Sequence, residues 1–411
     1  MQFGVFYEFQ LPKPWAEDSE EQLFHEALEQ VVLADRIGID YAWAVEHHFL
    51  DEYSHSAAPE VFLAAAAACT ERIRLAHGIR QVIPQYNHPA RTAECISALD
   101  LISRGRVDFG IGEGATRMEL GGFDIPAKEK REISLSTAEQ IANMMAMSPY
   151  PGFEGKYFSM PCRNVIPKPR QKPHPPMWLA CTNRDTIKVA ARNGLGALCF
   201  AFVDRDDANS WAQTYYDIIK SDECVPLGHR VNANLAMVSG FSLHRDRAEA
   251  IRRGEEGFEF FGYALSAQVT KDTVPGRTDI WGEFQASRAG RAPALGHAAD
   301  AFGDDYQSGI GTPDDMIRHL ESYADSGVDQ IILMQQCGKN RHEHICESLE
   351  LFGEAVLPRF KVAEEKRRTD KERELAPYIE AALARKKFMP ALADDEITVI
   401  PASVKRVQVN R

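Results

Sequence analysis

Four stretches of the chain share one pattern of apolar and polar positions. They are ALEQVVLADRIGIDYAWAV, CISALDLISRGRVDFGIG, TIKVAARNGLGALCFAF and IRHLESYADSGVDQIILM. In each, apolar residues recur at helical spacing up to Gly38, Gly105, Gly194 or Gly327. Glycine is the residue best able to adopt the left-handed conformation that ends a helix. A short, nearly continuous apolar segment follows, which is typical of a parallel strand covered by helices.

The same alternation extends to eight strands. The other strand-like segments are residues 2–8, 73–83, 176–180 and 231–239, and helix-like stretches separate most of them. Strands that alternate with helices indicate βαβ crossovers. Eight such units predict an α/β fold of the (β/α)8 TIM barrel type with insertions. A flavodoxin-like or Rossmann sheet with a second domain is the alternative.

Three regions interrupt this alternation. Residues 148–176 are rich in proline and contain FEGKYF, which predicts a small hairpin or an excursion before a strand. Residues 262–312 are rich in Gly, Ala and Pro, and we expect this insertion to be a lid or a binding loop, or else disordered. Residues 361–411 form a tail with a charged helix and the strand-like segment EITVIPASVKRVQV. We expect the tail to pack on a neighbouring subunit or on the outside of a barrel formed by residues 1–360.

Charge and cysteine usage narrow the class of protein. The net charge of −13 argues against nucleic acid and anionic membranes as main partners. None of the eight cysteines forms a C-x-x-C pair, which predicts free thiols in a reducing compartment and no zinc site. The N-terminal MQFGVFYEFQ lacks the basic segment of a signal peptide. The apolar run FLAAAAAC is too short to cross a bilayer, so we expect a cytoplasmic protein.

Two histidines follow the second predicted strand, in Glu46-His47-His48. Active sites of such barrels form at the carboxyl ends of the strands. Because adjacent residues of a strand point to opposite sides, the pair does not suit a metal site. A single histidine facing the barrel mouth suits proton transfer near neutral pH. A hydrogen-bonded structural histidine is the alternative for each.

Two further segments at the strand ends carry candidate binding residues. GIGEGA, residues 110–115, has the spacing G-x-G-x-G, so it does not fit a dinucleotide loop. Its glycines allow close approach of the backbone to a planar ligand. In LACTNRDT, residues 179–186, Thr182 or Asn183 is expected to cap a helix that starts near Arg184. The helix start, a hydroxyl group and an arginine predict a phosphate site. A plain helix cap with a solvated arginine is the alternative.

In combination, these motifs resemble the bacterial luciferase-like family of flavin-dependent monooxygenases. The resemblance rests on GIDYAWAVEHHF, RIRLAHGIRQVIPQYNHPARTAECISALDLISRGRVDFGIGEG, MWLACTNRDTIKVAARNGLG and GTPDDMIRHLESYADSGVDQIILM, and it extends to about residue 360. It implies a barrel that binds reduced FMN (FMNH2) at the strand ends. The flavin reacts with O2 to give a C4a-hydroperoxide that oxygenates a small organic substrate. In the family pattern, the histidine corresponding to His47 assists proton transfer.

The resemblance also implies partners and binding residues. A separate NAD(P)H-dependent flavin reductase supplies the FMNH2, and the oxygenase is a homodimer or homotetramer. The candidate cofactor-binding residues are Ile79, Arg80, Gly112, Glu113, Cys181, Thr182, Asn183 and Arg184. We expect no metal ion.

The sequence departs from the family pattern in strand 4. Where relatives often have an arginine for the flavin phosphate, this chain has Glu113. Arg184 is the expected replacement, and Arg117 is a second candidate. Gly112 stands where some relatives carry a thiol, so thiol chemistry is not expected. A non-prolyl cis peptide is expected near Ile79–Arg80.

Two other functions remain open on the same barrel. One is hydride transfer with the deazaflavin F420, which would consume no O2. The other is a flavin-binding subunit without catalytic activity. A Rossmann dehydrogenase is the least favoured reading.

Overall fold

The computed structural model describes residues 1–200, 205–289 and 309–400, and its centre is a closed barrel of eight parallel strands. The strands of the barrel are β1 (Gln2–Tyr7), β2 (Tyr41–Ala44), β3 (Arg74–Gln81), β4 (Val107–Gly112), β7 (Met177–Cys181), β8 (Gly196–Cys199), β9 (Leu235–Gly240) and β12 (Gln330–Gln336). They pair in that order, and β12 closes the ring against β1. The predicted (β/α)8 barrel is confirmed.

Helices surround the barrel. They are α1 (Ser19–Ile37), α2 (Pro59–Cys69), α3 (Pro89–Ile102), α4 (Arg117–Gly122), α5 (Lys130–Ala146), α6 (Arg184–Arg192), α7 (Arg205–Ile219), α8 (Arg247–Thr270), α9 (Ile280–Arg288), α10 (Pro313–Asp325), α11 (His342–Ala355) and α12 (Leu357–Arg385). The glycines that were predicted to precede strands adopt positive φ angles of 96°, 88°, 62° and 83° at Gly38, Gly105, Gly194 and Gly327. A positive φ causes little steric strain in glycine, so each helix can end there and the strand can begin within a few residues.

Alternation along each strand separates two layers of core. In β1, Phe3, Val5 and Tyr7 pack against the surrounding helices, whereas Phe6 points into the barrel. Inside the barrel, the rings of Trp43 and Trp178 meet edge to face at 5.3 Å. The barrel interior is therefore filled by side chains, and space for a ligand lies at its ends.

The interruptions in the pattern differ in kind. The predicted hairpin exists as the antiparallel pair β5 (Tyr150–Glu154) and β6 (Ser159–Arg163). A short parallel pair, β10 (Ser242–Leu243) with β11 (Ile310–Gly311), lies outside the barrel. The predicted insertion 262–312 starts too early, because α8 continues unbroken to Thr270. Residues 290–308 of that insertion lie outside the described residues, so its role as a lid stays a prediction.

The tail packs across the amino-terminal end of the barrel. Helix α12 begins before the predicted boundary at residue 360. Arg367 and Lys371 each lie within 2.8 Å of Asp329, which directly precedes β12. Lys361 contacts Asp40, just before β2, at 2.5 Å. Beyond α12, the described part of the strand-like segment, residues 396–400, forms no strand; the rest lies outside the described residues.

Candidate active site

A pocket opens at the carboxyl end of the barrel, and all eight strands contribute to it. The lining residues at or just beyond the strand ends are Glu8, Val45, His47, Ile79, Gln81, Gly112, Glu113, Ala180, Thr182, Phe200, Val238 and Met334. Helix α8 adds Phe261, Leu265, Gln268 and Val269, and the start of α5 adds Lys130 and Arg131. The pocket thus lies where the sequence predicted a site.

His47 faces this pocket, and His48 does not. Strand β2 ends at Ala44, so both histidines lie in the following loop. The backbone N–H of His47 donates to the carbonyl of Ser56 at 2.9 Å. Nε2 of His48 lies 3.2 Å from Glu46, and its ring stacks on Tyr86. The expectation that the two face different ways is met, but the path of the loop causes it, not alternation along a strand.

Two carboxyl groups flank the His47 ring. Nδ1 of His47 lies 2.9 Å from Oε1 of Glu119, and Nε2 lies 3.4 Å from Oε1 of Glu8. Glu8 is 2% exposed and Glu119 is fully buried. Each ring nitrogen of His47 therefore faces a carboxyl oxygen.

The flanking carboxyl groups control the charge of His47. Burial alone would lower the pKa of His47, but the charges of Glu8 and Glu119 outweigh it and raise this pKa to about 9. Burial raises the pKa of Glu8 to about 7. Burial also opposes ionisation of Glu119, yet the nearby His47 and the bonds from Thr116 and His48 lower its pKa. These shifts favour an imidazolium at His47 that faces an ionised Glu119.

Sequence reasoning missed both carboxyl groups, although each left a signal. Glu8 is the single charged residue in GVFYEFQ, directly after β1. Glu119 stands three residues after Thr116, in the T-x-x-E spacing of a capping box. The Thr116 hydroxyl accepts from the Glu119 backbone N–H at 3.1 Å and donates to its carboxylate at 2.9 Å. This exchange fixes Glu119 where it meets His47.

The other end of the pocket is cationic. Glu113 forms an ion pair with Arg131 and lies 3.6 Å from Lys130. Two cations around one carboxylate leave a net positive charge. Thr182 and Thr186 line the same pocket at the start of α6, where the positive end of the helix dipole favours anions. A phosphate group fits this end despite the negative charge of Glu113.

Helix α6 is capped as predicted, but its arginine lies elsewhere. The Asn183 side chain accepts from the backbone N–H groups of Asp185 and Thr186, both at 3.0 Å. The Arg184 guanidinium donates to the Thr214 hydroxyl on α7 at 2.8 Å and does not line the pocket. Its contact with a phosphate stays a prediction, which this arrangement does not favour because the guanidinium points toward α7.

Three more of the predicted residues lie outside the pocket lining. Arg117 is exposed on α4. Cys181 is buried, and its thiol donates to the carbonyl of Leu179 at 3.3 Å. Arg80 is 3% exposed and donates to Glu60 at 2.7 Å. We therefore assign Arg80 to a structural ion pair.

The prediction of a cis peptide bond at Ile79–Arg80 is wrong. In the described ranges, each cis peptide bond precedes a proline. Strand β3 instead shifts register against β4 between His77 and Arg80. This bulge re-aims the strand end and brings Ile79 into the pocket lining.

The glycines of β4 serve the packing of the protein itself. A Cβ atom on Gly110 would lie 2.1 Å from the backbone oxygen of His77. On Gly112 it would lie 2.0 Å from Cδ1 of Ile79. Glycine therefore lets β4 approach β3 closely. Because Gly112 and Ile79 also line the pocket, this contact shapes the space available to a ligand.

The residues that line the pocket fit both the ring system and the phosphate of FMN. The apolar walls, which include Phe6, Phe200 and Val238, suit a planar ring system, and the cationic end suits its phosphate. Gln81 is 1% exposed, and its side-chain oxygen has no hydrogen-bond partner in the described residues. A buried acceptor of this kind matches the N–H group of a flavin ring.

Comparison with known proteins assigns the chain to a family. Residues 1–330 match the sequence profile of the luciferase-like monooxygenases. Since this match covers most of the chain, the protein belongs to the luciferase-like monooxygenase family. The resemblance seen in the sequence is confirmed, and the protein is an oxidoreductase of the monooxygenase class.

Individual relatives agree with this assignment. The oxygenase component of flavin-dependent trigonelline monooxygenase from Acinetobacter baylyi is 29% identical over 199 residues, 47% of this chain and 52% of that protein. The oxygenating constituent of 3,6-diketocamphane monooxygenase from Pseudomonas putida, solved with FMN, superposes with a TM-score of 0.67 at 20% identity, over 87% of this chain and 98% of that one. The coenzyme F420-dependent tetrahydromethanopterin reductase from Methanopyrus kandleri superposes with a TM-score of 0.59 at 21% sequence identity, over 87% of this chain and 99% of that one. The two structures establish the fold alone.

Two classes of feature are absent from the described ranges. No helix there is long and apolar enough to cross a membrane. No group of three or more His, Cys, Asp or Glu side chains there is arranged to hold a metal ion.

Proposed function

We propose that the protein is the oxygenase component of a two-component system that uses FMNH2 and O2 to oxygenate a small organic substrate. The observation that carries the proposal is the position of His47. Its imidazole lines a pocket with apolar walls at the barrel mouth and is held between two carboxyl groups. Reduced FMN, when bound, supplies the electrons with which one oxygen atom of O2 goes to the substrate and the other to water.

The protein supplies protons to this chemistry. The imidazolium of His47 is stabilised at neutral pH because Glu119 is ionised beside it. Such a group can donate a proton in the pocket and take it back in a later step. We assign His47 as the catalytic acid and base.

The cationic end orients the cofactor. Lys130 and Arg131, together with the start of α6 at Thr182 and Thr186, would hold the phosphate. Their positions on α5 and α6 replace the arginine that relatives carry in strand 4. Ile79 and Gly112, also in the lining, would form part of the wall beside the ring system.

The apolar walls exclude water. Phe261 and Leu265 from α8 face the same pocket as Val238 and Met334 from the barrel strands. A dry pocket protects a reactive oxygen species from wasteful protonation and strengthens the charges around it. It also suits a substrate that is largely apolar.

Oxygen consumption tests the proposal and separates it from the F420 reading. Purified protein is mixed anaerobically with FMNH2 and then with O2 and a panel of small organic substrates. We expect O2 uptake coupled to an oxygenated product, and a loss of product formation of about 10²–10⁴-fold in His47→Asn, with FMN binding retained. Reduction of a substrate by F420H2 without O2 uptake would contradict it. No turnover with either cofactor would indicate a non-catalytic subunit.

The partners follow from the same proposal. A two-component oxygenase needs a separate NAD(P)H-dependent flavin reductase, and adding such a reductase should replace chemically reduced FMN in the assay. We also propose a homodimer or homotetramer, which sedimentation of the purified protein will measure.

A further inference from the structure

The two carboxyl groups beside His47 differ in their hydrogen bonds. Both oxygens of Glu119 are engaged: Oε1 faces His47 and the backbone N–H of His48, and Oε2 accepts from Thr116. Oε1 of Glu8 has no hydrogen-bond partner of ordinary length in the described residues. Nε2 of His47 lies 3.4 Å from it. Glu119 is thus fixed as an acceptor. The Glu8 carboxyl group has the hydroxyl groups of Tyr53 and Ser54 as side-chain partners, and these are compatible with either of its protonation states.

Glu8 also has access to the ligand. It lines the pocket together with His47, while Glu119 is not part of the lining. A change of protonation at Glu8 therefore occurs at the pocket surface, and one at Glu119 would occur behind the imidazole. Of the two carboxyl groups, only Glu8 is placed to exchange a proton with both His47 and the pocket.

The charges around this pair explain why Glu8 holds a proton. The ionisable groups that face Glu8 or His47 are Glu46, Tyr53, Glu119 and Cys337. Burial raises the pKa values of Tyr53 and Cys337, so both stay neutral. One imidazolium then faces several carboxyl groups in a buried space. Because an excess of buried negative charge is unfavourable, one carboxyl group gains a proton near neutral pH. Glu8 can be that group, since its side-chain partners are the hydroxyl groups of Tyr53 and Ser54, and a hydroxyl can accept from a protonated carboxyl group as well as donate to a carboxylate.

We propose that Glu8 is the proton reserve of His47: it holds a carboxyl proton beside Nε2 and replaces the proton that the imidazolium gives up in the pocket. This inference rests on the proposed function, in which His47 transfers protons. In the step, the Nε2–H bond breaks and a bond from that proton to an acceptor in the pocket forms. The O–H bond of Glu8 then breaks as Nε2 is protonated again. His47 ends as an imidazolium, and Glu8 ends as a carboxylate.

The proton reserve can be observed without cofactor. Infrared difference spectra of the purified full chain, recorded across neutral pH, should contain the C=O band of a buried protonated carboxyl group that disappears as pH rises. This band should be missing in Glu8→Gln. In the same variant, the pKa of His47, followed by NMR of labelled imidazoles, should fall because one negative neighbour is lost.

Two further variants keep the test decisive. In His47→Gln, the positive charge beside Glu8 is gone, so the carboxyl band should persist to higher pH. In Glu113→Gln, which removes a pocket carboxylate paired with Arg131 instead of His47, both titrations should stay as in the unaltered protein. A band that survives in Glu8→Gln, or a pKa of His47 unaffected by that change, would overturn the proposal.

The outcome is separable from that of the proposed function. If the protein does not consume O2 with FMNH2, but the infrared band and the shift of His47 occur as expected, the paired titration stands and the reaction is different. If the protein is active, Glu8→Gln should slow product formation most when the buffer concentration is low. Protons from solution then reach His47 slowly and cannot take the place of the Glu8 proton. Added small acids should then restore the rate.

Discussion

Arg131 and Glu113 form an ion pair at the cationic end of the pocket, with Nη2 of Arg131 3.0 Å from Oε1 of Glu113. The pair places a cation where a carboxylate alone would repel phosphate. A residue with the wrong charge in the sequence is thereby neutralised by a residue 18 positions further along the chain.

The first prediction concerns the phosphate. Arg131→Ala should weaken FMN binding by about 1.5–3 kcal/mol, the range for hydrogen bonds to charged groups. Riboflavin, which lacks the phosphate, should lose much less affinity. Fluorescence titration with both flavins measures the difference. Arg184→Ala is the matched control, and it should leave FMN binding unchanged, since Arg184 contacts Thr214 outside the pocket.

The second prediction concerns Glu113, the partner of Arg131, and expects FMN binding to change in the opposite direction. Glu113→Gln removes a negative charge near the phosphate and releases Arg131, so FMN should bind more tightly while riboflavin changes little. The same titration applies. Weaker FMN binding in this variant would mean that the carboxylate orients Arg131 and that the ion pair itself is required.

The third prediction concerns pH and stability. The pKa of His47 is raised to about 9 in the folded protein. Its contribution to the free energy of unfolding is therefore complete below the pKa of the unfolded chain, about 6.5, and is lost as pH rises through 9. The pKa of Glu8 is raised to about 7, so the stabilisation that comes from its bound proton is lost as pH rises through 7. Both make the free energy of unfolding fall with rising pH. Urea unfolding of the full chain at several pH values should show this fall, and His47→Asn should flatten it. An equal slope in both proteins would contradict the assigned charges.

The fourth prediction compares two glycines of β4. Gly110→Ala places a Cβ atom against the backbone oxygen of His77, which cannot move without breaking the strand pairing. Gly112→Ala meets the flexible end of Ile79. Overpacking costs about 1–3 kcal/mol, and we expect Gly110→Ala to exceed Gly112→Ala in urea unfolding. Gly112→Ala should instead weaken FMN binding, because Ile79 must shift within the pocket lining.

The fifth prediction concerns the loops around the pocket mouth. Glu52 is fully buried, and its carboxylate accepts from the backbone N–H groups of Lys13 and Ile280 at 2.8 Å and 2.5 Å. Glu52→Gln should destabilise the protein by about 1–3 kcal/mol, since a buried acceptor is lost. Asp51→Asn is the control: its contact with Lys13 is 3.5 Å long and partly exposed, so its effect should stay below about 1 kcal/mol. Equal effects would refute the role of Glu52.

Local signals in the sequence were sufficient for much of the fold. Gly38 and Gly194 mark helix ends because their backbone conformation is a property of the residue itself. The cap at Asn183 was also predictable, since its side chain bonds to N–H groups two and three residues away. These features depend on neighbours in the chain, which is why a single sequence reveals them.

The site was predictable only in part, because its contacts are distant in sequence. His47 was found from its place at a strand end, but its partner Glu119 lies 72 residues away. The direction of Arg184 depends on Thr214, which is 30 residues away. A cis peptide was predicted at Ile79–Arg80 and is not there; the strand instead shifts its register against β4 between His77 and Arg80, which depends on a neighbouring strand. No local pattern contains these relationships.

The helix α12 closes the amino-terminal end of the barrel through contacts with the residues that precede β2 and β12, and the pocket opens at the opposite end. An engineered fusion that joins a flavin reductase behind α12 would therefore place the two enzymes on opposite faces. Reduced flavin would have to diffuse through bulk solvent, where O2 oxidises it, unless the linker passes around the barrel. A linker attached near the mouth would shorten that distance.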